Sequence, residues 1–247
     1  MRWKMFLAID GDILLYKAAT SAEKEIDWGD DIWSLQTDLK EAKDGFQGQL
    51  DRITDKLGIN EYVVCLSDHS NNFRKIVDPS YKSNRKGTRK PVGFVALCEW
   101  AETSYRTFRK ATLEADDCMG ILATKPDNVG KCVIVSDDKD LKTIPGKLYR
   151  PTQDEQLAIS EQEADRFFLT QVLCGDVTDG YPGLKGVGPK TAEKILGSRP
   201  HWGAVEQAFK KAGQTREDAI QQARLARILR WSDWDEKKGE VVLWTPK

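Results

Sequence analysis

Only two histidines, His69 and His201, occur in 247 residues. Cysteine is nearly as sparse: Cys65, Cys98, Cys118, Cys132 and Cys174 form no CxxC pair. No Cys/His cluster has zinc spacing, and no disulfide framework is suggested. Most of these cysteines lie inside apolar runs and read as small buried hydrophobes in a reducing compartment. No apolar run approaches the roughly 20 residues that a membrane span needs. The opening "MRWKMFLAIDGD" turns acidic too soon for a signal peptide. The expectation is a soluble, unexported protein. Nor is there a surplus of either charge: 38 Lys and Arg face 39 Asp and Glu, a formal net charge of −1. Internal repeats and low-complexity tracts are also lacking.

The distribution of charge says more than its sum. From Asn71 to Lys90 the chain carries Arg74, Lys75, Lys82, Arg85, Lys86, Arg89 and Lys90 against a single acid, Asp78. Acids gather in short knots: "DGD", "EADD", "SDDKD" and "GDVTD". A near-zero total can hide a basic surface around an acidic pocket.

Three short β-branched runs read as buried parallel strands: "KMFLAID" (4–10), "YVVCLSD" (62–68) and "CVIVSDD" (132–138). Helical patterns separate them, in "LQTDLKEAKDGFQGQLDRITDKLG", "VGFVALCEWAETSY" and "EADDCMGILAT". Such alternation predicts an α/β core with a mostly parallel sheet. "GKLYRP" adds a further strand. Ser160 and Glu163 form a capping box that opens a helix over "EQEADRFFLTQVLCGD". From there to about Asp235 the pattern is helical.

Each of the three strands ends in aspartate: Asp10, Asp68 and Asp138. Ligands of open parallel sheets bind in the crevice beyond the carboxyl ends of the strands. Glu114, Asp116 and Asp117 at a helix start, and Asp140 two residues past Asp138, can join them there. A lone aspartate at such a position is ordinarily a helix cap. Doubled acids go beyond capping, because their charges repel without a counter-ion. Hard carboxylate oxygens suit Mg²⁺ or Mn²⁺. Two such ions about 4 Å apart can activate water and offset charge on the attacking and leaving oxygens of a phosphodiester. No Ser, Cys or His nucleophile is then required. His69 and His201 read as bystanders.

Tyr81, beside Lys82 and Arg85, suggests a ring that stacks on a base while the cations hold phosphate. Lys17, one turn into the first helix, is another candidate for the scissile phosphate. "GLKGVGPKTAEKIL" (183–196) has the form of a helix–hairpin–helix turn. Gly186 and Gly188 allow close backbone approach, and Pro189 suits a first helical position. The free N–H groups of that helix start favour phosphate, with Lys185, Lys190 and Lys194 adding charge. Asp176 and Asp179 lie just upstream, within reach of the acidic crevice.

Taken in order, "IDGD", "LSD…FRK…YKSNR", "LEADD", "VSDDKDL" and "GDVTDGYPGLKGVGPKTA" resemble the flap endonuclease / 5′-to-3′ exonuclease superfamily. The likeness is nearest to its small stand-alone phage-type members. It implies a PIN-like mostly parallel sheet with flanking helices over 1–175, including a short helical arch at about 82–113. It also implies a helical lobe over 176–247 with a helix–three-turn–helix. One metal cluster would match Asp10, Asp68, Glu114, Asp116 and Asp138, and a second Asp117, Asp140, Asp176 and Asp179. Lys82, Arg85 and Lys17 would act on phosphate. Tyr81, Arg74, Lys86, Lys185, Gly186, Gly188, Lys190 and Thr191 would contact DNA. The turn would also suit K⁺.

The implied activity is Mg²⁺-dependent 5′-to-3′ exonuclease action on duplex DNA, with 5′-flap and RNase H-like cleavage. The protein would be a monomer acting in the cytoplasm, the host's if a phage encodes it. Two features depart from the pattern: the stretch from Arg85 to Glu114 is short for an arch, and Asp137 is an extra acid. A haloacid-dehalogenase-like phosphatase would explain "IDGD" and "VSDDKD", but not "LEADD", "YKSNR" or the glycine turn. A catalytically silent DNA-binding protein would require missing acids, and all are present.

Overall fold

The structure, a computed structural model, describes residues 5–85 and 87–246. Strand β1 (Phe6–Asp10) leads into helix α1 (Gly11–Ser21), a hairpin of β2 (Glu23–Asp27) and β3 (Trp33–Thr37), and helix α2 (Leu39–Leu57). Next come β4 (Tyr62–Cys65), the short α3 (Arg74–Val77), α4 (Phe94–Ser104), β5 (Thr107–Phe108) and α5 (Ala115–Thr124). Strands β6 (Cys132–Val135), β7 (Gly146–Arg150) and β8 (Glu155–Ile159) precede α6 (Glu161–Cys174). Helices α7 (Pro189–Leu196), α8 (Trp202–Lys211) and α9 (Arg216–Ala226) follow, and then the short pair β9 (Trp234–Asp235) and β10 (Glu240–Val241).

The main sheet runs β5-β4-β1-β6-β7-β8. All its pairings are parallel except β7 with β8. Both faces are covered, which is why the strands read as continuous apolar runs. Leu7, Ile9, Val64, Val133 and Val135 face a core closed by α1, α2 and α4. Ala8, Cys65, Cys132 and Ile134 face the other, closed by α5 and by Ile228, Leu229 and Trp234. The central β1 has β4 on one side and β6 on the other. The chain therefore reverses its order of strand addition at β1, and a crevice opens beyond the carboxyl ends of β1 and β6. Gly11 starts α1 where a Cβ would press into Val64, Leu66 and the Cys65 carbonyl.

The structure departs from the sequence reading in several places. Leu35–Thr37, read as the start of a helix, belongs to the β2–β3 hairpin; α2 begins only after Asp38, whose carboxylate accepts from the Lys40 and Glu41 N–H groups. In the segment 82–113, expected to arch, Phe94, Leu97, Cys98 and Ala101 bury α4 in the core shared with α1 and α2. That helix therefore lies on the body. Helix α6 joins its Phe168, Leu169, Val172 and Leu173 to the core of α7–α9. Residues 228–234, counted with the helical lobe, return to the sheet.

Two buried features join these parts. Gly175 and Gly183 both have positive φ, and a Cβ on Gly183 would overlap the backbone at Cys174 and Gly175. Only glycine at both positions lets the two segments touch. Arg74, 2% exposed, forks onto Asp117 with Nη1–Oδ2 and Nη2–Oδ1 distances of 2.8 Å each. It also donates to the carbonyls of Leu225 and Arg227. Asp117 Oδ1 in turn accepts from Leu229 N–H. Removing one partner of a buried pair strands the other's charge. Arg74→Met is therefore expected to lower unfolding stability by about 3–5 kcal/mol, measured by urea denaturation. A loss below about 1 kcal/mol would show the pair to be dispensable.

Candidate active site

The crevice at the strand ends is a cleft of about 200 Å³. Asp10, Asp12, Glu114, Asp116, Asp138, Asp140 and Asp179 line it, opposed by Lys82 and Arg85. Asp10 ends β1 and caps α1, accepting from Ile13 N–H at 3.1 Å. Its other oxygen accepts from Ser136 Oγ at 2.6 Å, and the same hydroxyl accepts from Asp138 N–H at 3.1 Å. Ser136 thus joins β1 to the loop after β6. Asp138 caps the turn over 139–143 through Asp140 N–H at 2.8 Å. Glu114 is the N-cap of α5, so Asp116 falls in that helix's first turn. The capping box explains the run "LEADD": Asp117 holds the Glu114 N–H while its neighbours remain free to face the cleft.

A second wall is a zipper between residues 81–85 and 177–180. Lys82 N–H donates to the Asp179 carbonyl at 2.8 Å. Asn84 Nδ2 donates to the Val177 carbonyl at 2.8 Å, and Arg85 Nη2 to Asp179 Oδ1 at 2.8 Å. Lys82 Nζ bonds Glu114 Oε1 and lies 3.5 Å from Asp179 Oδ1. The "YKSNR" and "GDVTDG" motifs, nearly a hundred residues apart, therefore form one surface.

Electrostatics divide the acids. Burial alone would raise the Glu114 carboxyl, but Lys82 and Arg74 reverse that and hold it at about 2. Burial, added to by Asp12 and Asp138 and only partly offset by the Ser136 bond, lifts Asp10 to about 7. Burial beside Asp138 lifts Asp140 to about 7 as well. Asp116 is held well above the usual carboxylate range by burial and by Asp138, Asp10 and Glu114. Asp140 Oδ1 is buried with no hydrogen-bond partner among the described residues. These groups crowd negative charge in a half-buried space, an arrangement that a hard cation relieves. Among the described residues no three of them close into a finished coordination sphere.

Several expectations need correction. Tyr81 is 2% exposed; its hydroxyl contacts Asp179 at 2.8 Å and Glu114 at 3.1 Å. Its ring is packed in the core of α6–α9 and offers no face to a base. Arg74 is buried in the ion pair described above and is not a surface DNA contact. Asp117, fully buried on Arg74, does not line the cleft. Lys17 points to Asp137 at 2.7 Å instead of into the cleft. Asp68 and Asp176 hold loops, and the Asp176 carboxylate adds to the charge that raises Asp140. Asp68 accepts from Ser70 and Thr112 N–H, and Asp176 from Thr178 and Asp179 N–H. Lys86 lies outside the described residues.

Conversely, Asp12 and Ser136 were missed. Asp12 could have been found as the acid in the first turn after a strand-end aspartate; Ser136 carried no such signal. His69 sits 3.9 Å from Asp12 and 4.0 Å from Cys98 Sγ, at the edge of the site. His201 is an exposed N-cap of α8.

Lys185, Gly186, Gly188, Lys190 and Thr191 are all exposed around the entrance to α7. Gly186 has φ +80° with open space where a Cβ would sit. No side chain caps Gly188, leaving the helix start open. Val187 between them packs into the lobe's core and anchors the turn.

The raised carboxyls have a consequence for stability. A carboxyl with a folded pKa above its unfolded value of about 4 favours folding in its protonated form. For Asp10 and Asp140 that contribution is full below pH about 4 and is lost as pH rises through about 7. Asp10→Asn keeps a helix-capping side chain but removes the charge. In chelator at pH 8 it is expected to be more stable than the parent by on the order of 1–3 kcal/mol, with the gain shrinking by pH 5. Thermal unfolding at the two pH values measures this, and a lower Tm at pH 8 would contradict it.

Comparison with known proteins agrees with this geometry. Residues 5–165 match the family model described as "5'-3' exonuclease, N-terminal resolvase-like domain". The exonuclease of Escherichia phage T7 is 33% identical, covering 98% of this chain and 94% of its own. The exodeoxyribonuclease of Enterobacteria phage T3 is 32% identical over 99% and 94%. The T7 alignment runs over 282 positions, more than the 247 residues here, so parts of that relative have no counterpart in this chain. Among solved structures, a phage T5 protein co-crystallised with metal ions superposes with a TM-score of 0.70 at 15% identity. It covers 92% of this chain and 90% of its own, and at that identity the likeness speaks for a shared fold. A further T5 structure, named a flap endonuclease, is a complex with DNA and metal ions. With its five cleft motifs, its sheet order and these relatives, the chain belongs to the 5′-3′ exonuclease family.

Proposed function

We propose that the protein hydrolyses phosphodiester bonds from the 5′ ends of duplex DNA and at 5′ flaps, using divalent cations held in the cleft. The observation that carries this reading is the switch-point cleft itself, with Asp10, Glu114, Asp116, Asp138, Asp140 and Asp179 facing Lys82 and Arg85. The donor set fits hard cations: it is all carboxylate, includes an unpartnered buried oxygen on Asp140, and contains acids whose charges need a counter-ion. Asp10, Asp12, Glu114, Asp116, Asp138, Asp140 and Asp179 would hold Mg²⁺, with Mn²⁺ as a substitute. Asp68 and Asp176 would support the loops around them. When bound, such ions supply Lewis acidity and charge neutralisation for in-line displacement.

The chain's own residues supply position. Lys82 and Arg85 already sit on carboxylates and would transfer hydrogen bonds to the phosphate. Guanidinium and ammonium together restrain its non-bridging oxygens. The exposed turn at Gly186 and Gly188, with Lys185, Lys190 and Thr191, would grip the duplex backbone through open N–H groups and charge. Residues 1–175, joined by Asp179, would carry cleavage, and the helices of 176–247 duplex grip, with α6 as the shared wall. Binding of K⁺ at the turn, cleavage of RNA in hybrids, a monomeric state and action in the cytoplasm belong to the same reading. Among the described residues, no helix is long and apolar enough to cross a membrane.

Incubating the protein with 5′- and 3′-labelled duplex and flap DNA, in Mg²⁺ or EDTA, tests the reading. Cleavage should start at the 5′ end and require metal. Cleavage in EDTA would sink the mechanism, and release only from 3′ ends the polarity. Asp116→Ala should abolish cleavage, by about 10³-fold or more, while duplex affinity measured by anisotropy in EDTA stays within about two-fold. Gly186→Glu adds a charge and a Cβ at a positive φ. It should weaken duplex binding about ten-fold, and unchanged affinity would remove the turn from the DNA surface.

A further inference from the structure

Asp137 turns away from the cleft that its neighbours line. Its Oδ2 accepts from Lys17 Nζ at 2.7 Å and from Thr152 Oγ1 at 2.5 Å. Its Oδ1 accepts from Thr152 N–H at 2.8 Å, and its carbonyl from Arg150 Nη2 at 3.2 Å. On either side, Ser136 and Asp138 point inward, to Asp10 and Asp140. Residues 136–138 therefore carry cleft groups on one side and a tether on the other. The tether ends on α1, the helix that Asp10 caps, and on the segment that follows β7.

We propose that Lys17, Asp137 and Thr152 form a positioning strut that sets the spacing of Asp10 from Asp138 and Asp140, and so the affinity of the cleft for divalent cations. Lys17 acts through Asp137 and does not touch substrate. This rests on the nuclease reading above. The side chains of Lys17 and Asp137 are 46% and 18% exposed, and an ion pair so placed adds little to folding stability. Its effect is geometric. Loss of a group that orients metal-holding carboxylates typically costs 10- to 100-fold in metal affinity.

Calorimetric titration of the DNA-free protein with Mn²⁺ tests the strut. Asp137→Asn and Lys17→Met should each raise the Mn²⁺ dissociation constant roughly ten-fold or more. The double variant should be no worse than the weaker single one, because both changes remove one interaction. Thr152→Val, a milder change, should shift affinity in the same direction. Tm in chelator and duplex affinity in EDTA should stay near the parent's. Unaltered Mn²⁺ affinity in Asp137→Asn and Thr152→Val would overturn the strut. So would a Lys17→Met protein with normal Mn²⁺ affinity but weakened DNA binding, since Lys17 would then be a phosphate contact. A parent protein that binds no Mn²⁺ at all would instead bring down the nuclease reading on which the strut rests.

Discussion

The arrangement depends on one buried guanidinium. Arg74 spends its five N–H donors on five bonds: two to Asp117, one to Glu114, and one each to the carbonyls of Leu225 and Arg227. Its planar fork matches a carboxylate and still leaves donors for backbone, which an ammonium could not do. The group lies where three parts of the chain meet: the basic loop after β4, the start of α5, and the exit from α9. Fixing that junction fixes Glu114 at the rim of the cleft and the helical lobe against the sheet. The α7 turn is thereby held at a fixed place relative to the acids of the cleft.

The cleft runs against stability. Carboxylates accumulate where burial and mutual repulsion drive Asp10, Asp116 and Asp140 upward. Lys82 and Arg85 offset part of this by lying across Glu114 and Asp179. On the proposed reading the same contacts would hold these two cationic side chains in place for phosphate. Sites that favour ligand over stability are expected where function needs concentrated charge.

Much of the site was legible because its residues sit at strand ends and helix starts, places with strong local signatures. Asp10, Glu114, Asp116, Asp138, Asp140 and Asp179 reach the cleft as their positions suggested. Tyr81 and Arg74 did not behave as parts of a charged aromatic loop would, nor Lys17 as a free lysine on a helix, because each found a buried or tethering partner far along the chain. Arg74 and Asp117 are 43 residues apart, and Lys17 and Asp137 are 120. The β2–β3 hairpin escaped notice because "EKEIDWGDDIWSLQT" does not alternate cleanly, and most of its residues remain exposed.

By itself the sequence determined the parallel α/β core, the acids at the strand ends and the glycine-paved entrance to α7. Each follows from local constraints: β-branched runs, capping chemistry, and φ values that glycine alone adopts freely. Only the tertiary structure decided which charges face the cleft and which are spent holding it together. That choice turns on burial and on partners distant in sequence. An aspartate such as Asp117 is locally indistinguishable from Asp116 until the fold brings Arg74 against one and turns the other to the cleft.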